Sequence, residues 1–266
     1  MIQYQYDNNG NLTQKTDARL VVTNYVYDAL NRVTQRNYTA PGGLPNYQAT
    51  PNVSYFYDNL PNAKGKLTKV SSSVSTTEYT AFDILGRAAS HKQTTDGNIY
   101  TTGYIYNLSG ALIEETYPSG RVVKNVLDND GNLSQVQSKK ANGTFQNYAN
   151  SFSYTAAGAV SSMRLGNGKW ESTTFNSRLQ PTQIALGASA GNTNLLKLDY
   201  SYGSTQNNGN VQTQTITVPT VGINPGFTAT QTYNYDSLNR LKQATEEISG
   251  GRTLLTDEKV EGKVEK

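Results

Sequence analysis

Side chains along this sequence alternate between apolar and polar with a period of two, in short runs broken by Asp, Asn and Gly. The sharpest run is Tyr4-Gln5-Tyr6-Asp7. It returns as Tyr25-Val26-Tyr27-Asp28, Tyr55-Phe56-Tyr57-Asp58 and Tyr233-Asn234-Tyr235-Asp236. Looser copies lie between them: Thr80-Ala81-Phe82-Asp83, Tyr104-Ile105-Tyr106-Asn107, Asn125-Val126-Leu127-Asp128, Phe152-Ser153-Tyr154-Thr155, Thr173-Thr174-Phe175-Asn176 and Tyr200-Ser201-Tyr202-Gly203. That makes about ten copies, with anchors roughly 21 to 33 residues apart, the mark of a repeat architecture.

Each copy has the same continuation. Three residues past the Asp-like position stands Gly10, Asn31, Gly86, Gly110, Gly131, Gly158 or Asn239, with Gly65 and Gly209 in the same place after short insertions. Gly and Asn are the residues that tolerate positive φ. Two residues further on comes an apolar side chain: Leu12, Val33, Leu67, Ala88, Leu112, Leu133, Val160, Val211 or Leu241. Tyr-x-Tyr places two rings on one face of a strand. The Asp or Asn caps the strand end by accepting from an amide two residues on, the Gly or Asn turns the chain, and the apolar residue starts a return strand. The copy at Asn176-Ser177-Arg178-Leu179 lacks the Gly and is expected to turn differently.

A second turn falls midway through many copies, at Asp96-Gly97-Asn98, Pro118-Ser119-Gly120-Arg121, Ala141-Asn142-Gly143 and Gly166-Asn167-Gly168. The unit is therefore two strands and two turns, and about twenty short antiparallel strands are predicted. Isolated hairpins are marginal, so the units must lie side by side and bury their aromatic faces together, with the hydroxyls toward a lumen. Twist then coils so long a sheet into a spiral. The expected fold class is all-β, a spiral antiparallel sheet over residues 1–252. Residues 34–54, 185–194 and 218–227 read as loops inserted between units, and residues 253–266 as a truncated last repeat or a charged, frayed tail.

Composition narrows the chemistry. Of 266 residues, 19 are Tyr, 23 are Gly and 16% are charged, while mean hydropathy is −0.61. Leu, Ile, Val and Phe make up only about a fifth of the chain, near the edge where disorder sets in. The low net charge of +3 and the apolar area of the tyrosines favour a folded chain. With no Cys there is no disulfide, thiolate zinc site or thiol nucleophile, and one His excludes a multi-histidine metal site. Dispersed Lys and Arg make no electrostatic case for nucleic acid. No apolar run approaches the ~20 residues of a membrane-spanning helix, and the first residues have no signal-peptide pattern.

Tyr25-Val26-Tyr27-Asp28-Ala29-Leu30-Asn31-Arg32-Val33-Thr34 and Tyr235-Asp236-Ser237-Leu238-Asn239-Arg240-Leu241 resemble YD repeats. These are the signature of bacterial Rhs (rearrangement hotspot) proteins, wall-associated proteins, Tc toxin shell components and animal teneurins. Residues 175–184 and 200–211 resemble bacterial Rhs sequences particularly. The resemblance covers the chain to about Gly251. It implies a β-sheet spiralling into a hollow shell, which in toxins encloses a C-terminal effector and in teneurins supports adhesion. The family's autocleavage segment carries an Asp-Pro dipeptide. None occurs here, so that protease activity is not carried over. The partners implied are the rest of a parent shell and its effector, and the location is secreted or at the cell surface through that parent.

Candidate chemistry is sparse. His91, in Ala88-Ala89-Ser90-His91-Lys92-Gln93, lacks a partner nucleophile motif and reads as a sheet-surface His. Asp128-Asn129-Asp130-Gly131-Asn132 resembles part of a calcium loop, but its Gly is misplaced and Lys139 stands where the loop needs Glu. Adjacent Glu114-Glu115 and Glu246-Glu247 point to opposite faces of a strand and make no acid/base dyad. Gly166-Asn167-Gly168-Lys169-Trp170 lacks the third glycine and the βαβ setting of a phosphate loop. The tyrosines, locked to repeat positions, are read as structural first and as a sugar-binding ladder second. No catalytic, metal or cofactor residue is assigned, and no enzyme is expected. Two edge strands, near 2–7 and 253–255, are expected to pair with other copies.

Overall fold

The structure is a computed structural model that describes residues 1–43, 48–205 and 207–250. Among the described residues there are twenty strands and no helix. In chain order β1 is Gln3–Tyr6, β2 Leu12–Thr16, β3 Val22–Tyr27, β4 Val33–Thr39, β5 Val53–Tyr57, β6 Leu67–Ser71 and β7 Ser75–Phe82. They continue as β8 Ala88–Thr95, β9 Asn98–Tyr106, β10 Leu112–Thr116, β11 Val122–Leu127, β12 Leu133–Lys139, β13 Gln146–Tyr154 and β14 Val160–Leu165. The last six are β15 Trp170–Phe175, β16 Pro181–Gly187, β17 Leu196–Ser201, β18 Thr213–Val218, β19 Phe227–Tyr235 and β20 Leu241–Gly250. The tail and the second expected edge, 253–255, lie outside the described residues.

The chain divides into two compact units: Met1–Lys124 with Lys139–Gly143, and Asn125–Ser138 with the residues from Thr144 on. Each is an antiparallel sheet whose strands pair with their chain neighbours. The odd strands end on the Tyr-x-Tyr position, except β17, which stops at Ser201, one residue short of Tyr202. The even strands begin on the apolar residue after the turn, as β2 does on Leu12, β4 on Val33 and β14 on Val160. Val211 is the exception, because β18 starts two residues later.

The turns follow the sequence. Gly10, Gly86, Gly110, Gly131 and Gly158 have φ between 72° and 97°, and Asn31 and Asn239 stand at 59°. Asn176-Ser177-Arg178-Leu179 corrects the expectation. It makes the same turn as the others, with Leu179 carrying φ 58° in place of a Gly. The hydrogen bonds of the turn hold a residue the backbone alone disfavours. A further turn of this type, at Asp17-Ala18-Arg19-Leu20, puts Leu20 at φ 65°. The insertions are shorter than the sequence suggested. Residues 34–39 belong to β4, and Ala185 is a buried member of β16.

The core is thin. Among the described residues the buried apolar side chains are Val21, Ala63, Ala149, Ala185 and Ala229, and the largest fully buried side chain is Thr68. The expected sealed aromatic face is therefore only half sealed. Tyr25 and Tyr27 are half-buried while Val26 between them is open, and Tyr55, Phe56 and Tyr57 repeat that alternation. Rings touch across and along strands, as His91 does Tyr104 with centroids 5.8 Å apart and Phe152 does Tyr154 at 6.4 Å. So thin a core leaves the hydrogen bonds between units with much of the task of holding the sheet.

Candidate functional site

The recurring feature is a joint between successive units, and it starts at the aspartate. Asp28 Oδ1 accepts from the backbone N–H of Leu30 and of Arg32, both at 2.9 Å. The backbone closes on the same residue: Asn31 N–H donates to the Asp28 carbonyl and Asp28 N–H to that of Arg32. Asp7, Asp17, Asp83, Asp128 and Asp236 repeat the pattern with their own amides two and four residues on. Asn176 does so with a neutral side chain, which shows that the turn needs an acceptor oxygen rather than a charge.

The second element is the tyrosine just before the Asp-like position. Tyr27 donates its hydroxyl to the Leu12 carbonyl at 2.8 Å, Tyr57 to Val33 at 2.9 Å, Tyr154 to Leu133 at 2.6 Å, Tyr202 to Pro181 at 3.0 Å and Tyr235 to Val211 at 2.8 Å. In every case the acceptor is the apolar residue that follows the preceding turn. The sequence reading sent these hydroxyls to a lumen. The structure corrects that, because they are committed to the neighbouring unit's backbone.

Register is the third element. The residue two past that apolar position faces the residue before the first position of the next unit's Tyr-x-Tyr pattern: Gln14 faces Asn24, Gln35 faces Ser54, Ser90 faces Gly103 and Glu114 faces Lys124. Ser162 with Ser172, Gln183 with Asp199 and Thr213 with Thr232 continue the rule. The other two joints between strand pairs, β6 with β7 and β12 with β13, slip by one residue beside a bulge in the following strand. Gln14 donates to Asn24 at 2.9 Å and Gln183 to Asp199 at 2.8 Å.

The fourth element went unseen in the sequence. The residue four past the aspartate reaches forward to the next turn. Arg32 donates through Nε to Asp28 and through Nη1 to Asp58 Oδ2, each at 2.7 Å, and its guanidinium lies 4.4 Å from the centroid of the Tyr57 ring. Arg87 holds Asp83 and stacks on Tyr106 at 4.5 Å. Asn11 bonds forward to Asn31, and Asn210, displaced by the insertion after Gly203, bonds forward to Asn239. The available signal was the fixed offset of Asp28 to Arg32, Asp83 to Arg87 and Asp236 to Arg240.

These bonds set the acid limit of the fold. The Arg32 backbone amide and guanidinium hold the Asp28 carboxyl below the ordinary range, and the Arg32 side chain does the same for Asp58. Asp7, Asp83 and Asp236 are lowered likewise, the first chiefly by the Asn11 side chain, the others chiefly by the amides of Arg87 and Arg240. A depressed folded pKa adds stability that is complete above the unfolded value, about 4, and is lost as pH falls through the folded value. Melting temperature should thus be level from pH 5 to 7 and drop below about pH 4. Replacing Asp28, Asp83 and Asp236 by Asn keeps the turn acceptor and should flatten that drop; an acid limb of unchanged depth would assign it to other groups.

The other candidates fall apart in space or are absorbed by the joint. His91 lies on β8, with Nδ1 3.1 Å from the Tyr104 hydroxyl. Asp128 turns its Oδ1 onto the amides of Asp130 and Asn132. Glu114 pairs with Lys124 at 3.5 Å, while Glu115 accepts from the Tyr117 hydroxyl at 3.1 Å. Glu246 accepts from Gln231 at 2.6 Å, and Glu247 lies beside it, across from Thr230. Gly166 to Gly168 is the β14–β15 hairpin, where the Gly166 N–H donates to the Tyr148 carbonyl. Among the described residues no three His, Asp or Glu side chains gather as a metal could require.

A unit that spends its recurrent side chains on joining itself to its neighbour defines a structural β-repeat chain. Comparison with known families matches one stretch of the chain. Residues 6–43 match the RHS Repeat model. A search of curated proteins finds no match. Among solved structures, the crystal structure of TcdB2-TccC3 is similar over 92% of this chain, with TM-score 0.75 and 18% identity. The same complex without its hypervariable C-terminal region is similar over 95%, at 0.72 and 15%. A Tc holotoxin pore of Photorhabdus luminescens is similar over 93%, at 0.72 and 16%. At these identities the likeness is one of fold. The chain spans 13–15% of the length of the solved chains it matches.

Proposed function

We propose that the chain is a wall segment of a larger, bacterial Rhs-type protein that encloses a toxin or effector cargo. The observation that carries this is the joint: turn acceptor, tyrosine hydroxyl, register and forward-reaching side chain all serve unit-to-unit cohesion. A hydrogen-bonded sheet of that kind bars solvent and proteases, and its half-buried aromatic side provides an inner lining. The partners are the remaining wall and the enclosed effector, and the parent carries the segment to the cell surface or beyond. No catalytic step is assigned to it. The sugar-binding alternative has less support, since five of the repeat tyrosines have their hydroxyls engaged by backbone carbonyls.

The test is protease protection in the parent protein. The cargo segment should survive digestion while the wall is intact. It should be degraded at the same protease concentration once a wall variant such as Gly187→Ala opens the sheet. Equal degradation of the cargo in both would overturn enclosure. Binding to a glycan array by the intact chain, lost on removal of exposed tyrosines, would favour the alternative.

A further inference from the structure

Two cations of the first unit, Lys15 and Arg36, pair with no carboxylate among the described residues. The register puts both on one face of the sheet. Lys15 on β2 faces Thr23 on β3, and Thr23 faces Tyr38 on β4. Two residues along, on the same face, Tyr25 faces Arg36. Facing side chains of antiparallel strands stand about 5 Å apart at Cβ, so these groups surround one spot. A cavity of about 180 Å³ opens there, lined by Lys15, Tyr25, Arg36 and Tyr38 together with Asp17 and Arg19.

The donors around this cavity are unspent. Arg36 Nε is buried, yet it has no hydrogen-bond partner among the described residues. Its guanidinium lies 5.6 Å from the centroid of the Tyr55 ring, a contact that uses none of its N–H groups. The hydroxyls of Tyr25 and Tyr38 bond to nothing among the described residues, whereas those of Tyr27 and Tyr57 each reach a carbonyl. Asp17 is the one carboxylate of the cavity, and it is already committed. Its Oδ2 accepts from Arg19 Nε and Nη2 at 3.0 and 2.8 Å, and its Oδ1 accepts from the amides of Arg19 and Val21. Asp28 and Asp58 are held by Arg32. Residues 44–47, outside the described residues, contain no Asp or Glu. Three cations against one carboxylate leave the cavity a formal charge of +2. A buried donor on a cation is costly unless a polar partner meets it, and an orphan of that kind marks where a partner belongs.

We propose that this cavity binds a doubly charged tetrahedral oxyanion, a phosphate or sulfate group. The charge of the lining matches a dianion better than a single carboxylate. Arg36 offers the N–H edge that such oxyanions accept from, Lys15 adds a point charge, and the two tyrosine hydroxyls add neutral donors. Tyr55 holds Arg36 by the face of its guanidinium and leaves that edge free. The volume suits one such group and its waters, since pockets for drug-sized ligands begin near about 300 Å³. The group can arrive as a free anion or as the ester of a larger molecule; the chemistry that holds it is the same. The inference uses only residues of the first unit and holds whether or not a cargo is enclosed.

Nuclear magnetic resonance on the isotope-labelled chain, titrated with inorganic phosphate, reads the site directly. The Arg36 Nε–Hε signal should shift and saturate, and sodium chloride at equal ionic strength should leave it in place. A drift that never saturates is the effect of phosphate on any protein surface, and it would overturn the inference. In Arg36→Gln and in Lys15→Gln the dissociation constant, read at the Thr23 amide, should rise about tenfold, the effect of one charge-assisted hydrogen bond. Lys64→Gln, an exposed position outside the cavity, should bind as the parent chain does. Without phosphate neither cavity variant should melt below the parent, because each removes a cation that has no partner. Unchanged affinity in either variant would overturn the site as drawn, and should Arg36→Gln fail to fold, Lys15→Gln decides alone. Glycerol phosphate as a second probe separates the two sources. Binding as tight as that of inorganic phosphate assigns the cavity to an ester group, and weaker binding assigns it to the free anion. No saturable shift with either probe would overturn the inference.

Discussion

Replacing Gly187 by Ala should cost about 3 kcal/mol, within the range for side chains forced into filled space. Gly187 ends β16 opposite Trp170, and the following loop folds directly back over it. A Cβ there would lie 2.6 Å from the Asn192 carbonyl carbon, 2.8 Å from the Asn192 side chain, and closer still to the Asn192 carbonyl oxygen. The loop has little room to yield. Asn192 N–H donates to Ser189, Asn192 Oδ1 accepts from Asn194, and Asn194 Oδ1 accepts from Ala188, each at 2.9 to 3.0 Å. Gly42→Ala is the control, with nothing within 4 Å of its Cβ and no left-handed φ. Chemical denaturation should separate the two variants by roughly the full effect. A Gly187→Ala chain as stable as Gly42→Ala would show that the loop is not seated as described.

The second large effect is expected from the tyrosine hydroxyls taken together. Tyr27, Tyr57, Tyr154, Tyr202 and Tyr235 each give one hydrogen bond to a neighbouring unit. Loss of one by Tyr→Phe should cost about 1 kcal/mol, since the ring stays and only the bond and its acceptor's partner go. The sites share no partners, so the losses should add to about 5 kcal/mol in the fivefold variant. Two of the five lie in the first compact unit and three in the second. If the units melt separately, the loss will divide between two transitions in that proportion. Tyr100→Phe, at an exposed ring, should be neutral. A fivefold variant within 1 kcal/mol of the parent chain would mean that the joint is geometry without energy.

The repeat was legible because its two strongest signals are local. Period two gives the strands, and a residue able to take positive φ three after the Asp gives the turn. Gly86, Gly131 and Asn31 needed no tertiary information to be placed. Leu179 was misjudged because the acceptor oxygen of Asn176 and the closing backbone bonds hold a conformation that residue type alone disfavours. The ends of the insertions at 34–54 and 185–194 were misjudged for another reason. Pro and Gly mark where a loop contains turns, not where the flanking strands stop. The hydroxyl of Tyr57 and the second bond of Arg32 were out of reach from sequence, because both partners lie about 25 residues away along the chain and meet only when strands align. The sealed core was overestimated because tyrosine counts as apolar area in composition, whereas a single layer of strands covers only part of each ring.

The account rests on cohesion between units rather than on an apolar core, and amide hydrogen exchange at the turns tests it most directly. Leu30, Arg32, Leu85, Arg87, Leu238 and Arg240 sit in turns at the sheet margin, yet each backbone N–H is held by an aspartate Oδ1 at 2.9 to 3.0 Å. These amides should exchange as slowly as those of the strands they join, opening only when a whole unit opens. Exchange at the rate of free loops, with protection confined to strands around Val21, Ala63, Ala149, Ala185 and Ala229, would contradict the account and return the stability of the sheet to its small core.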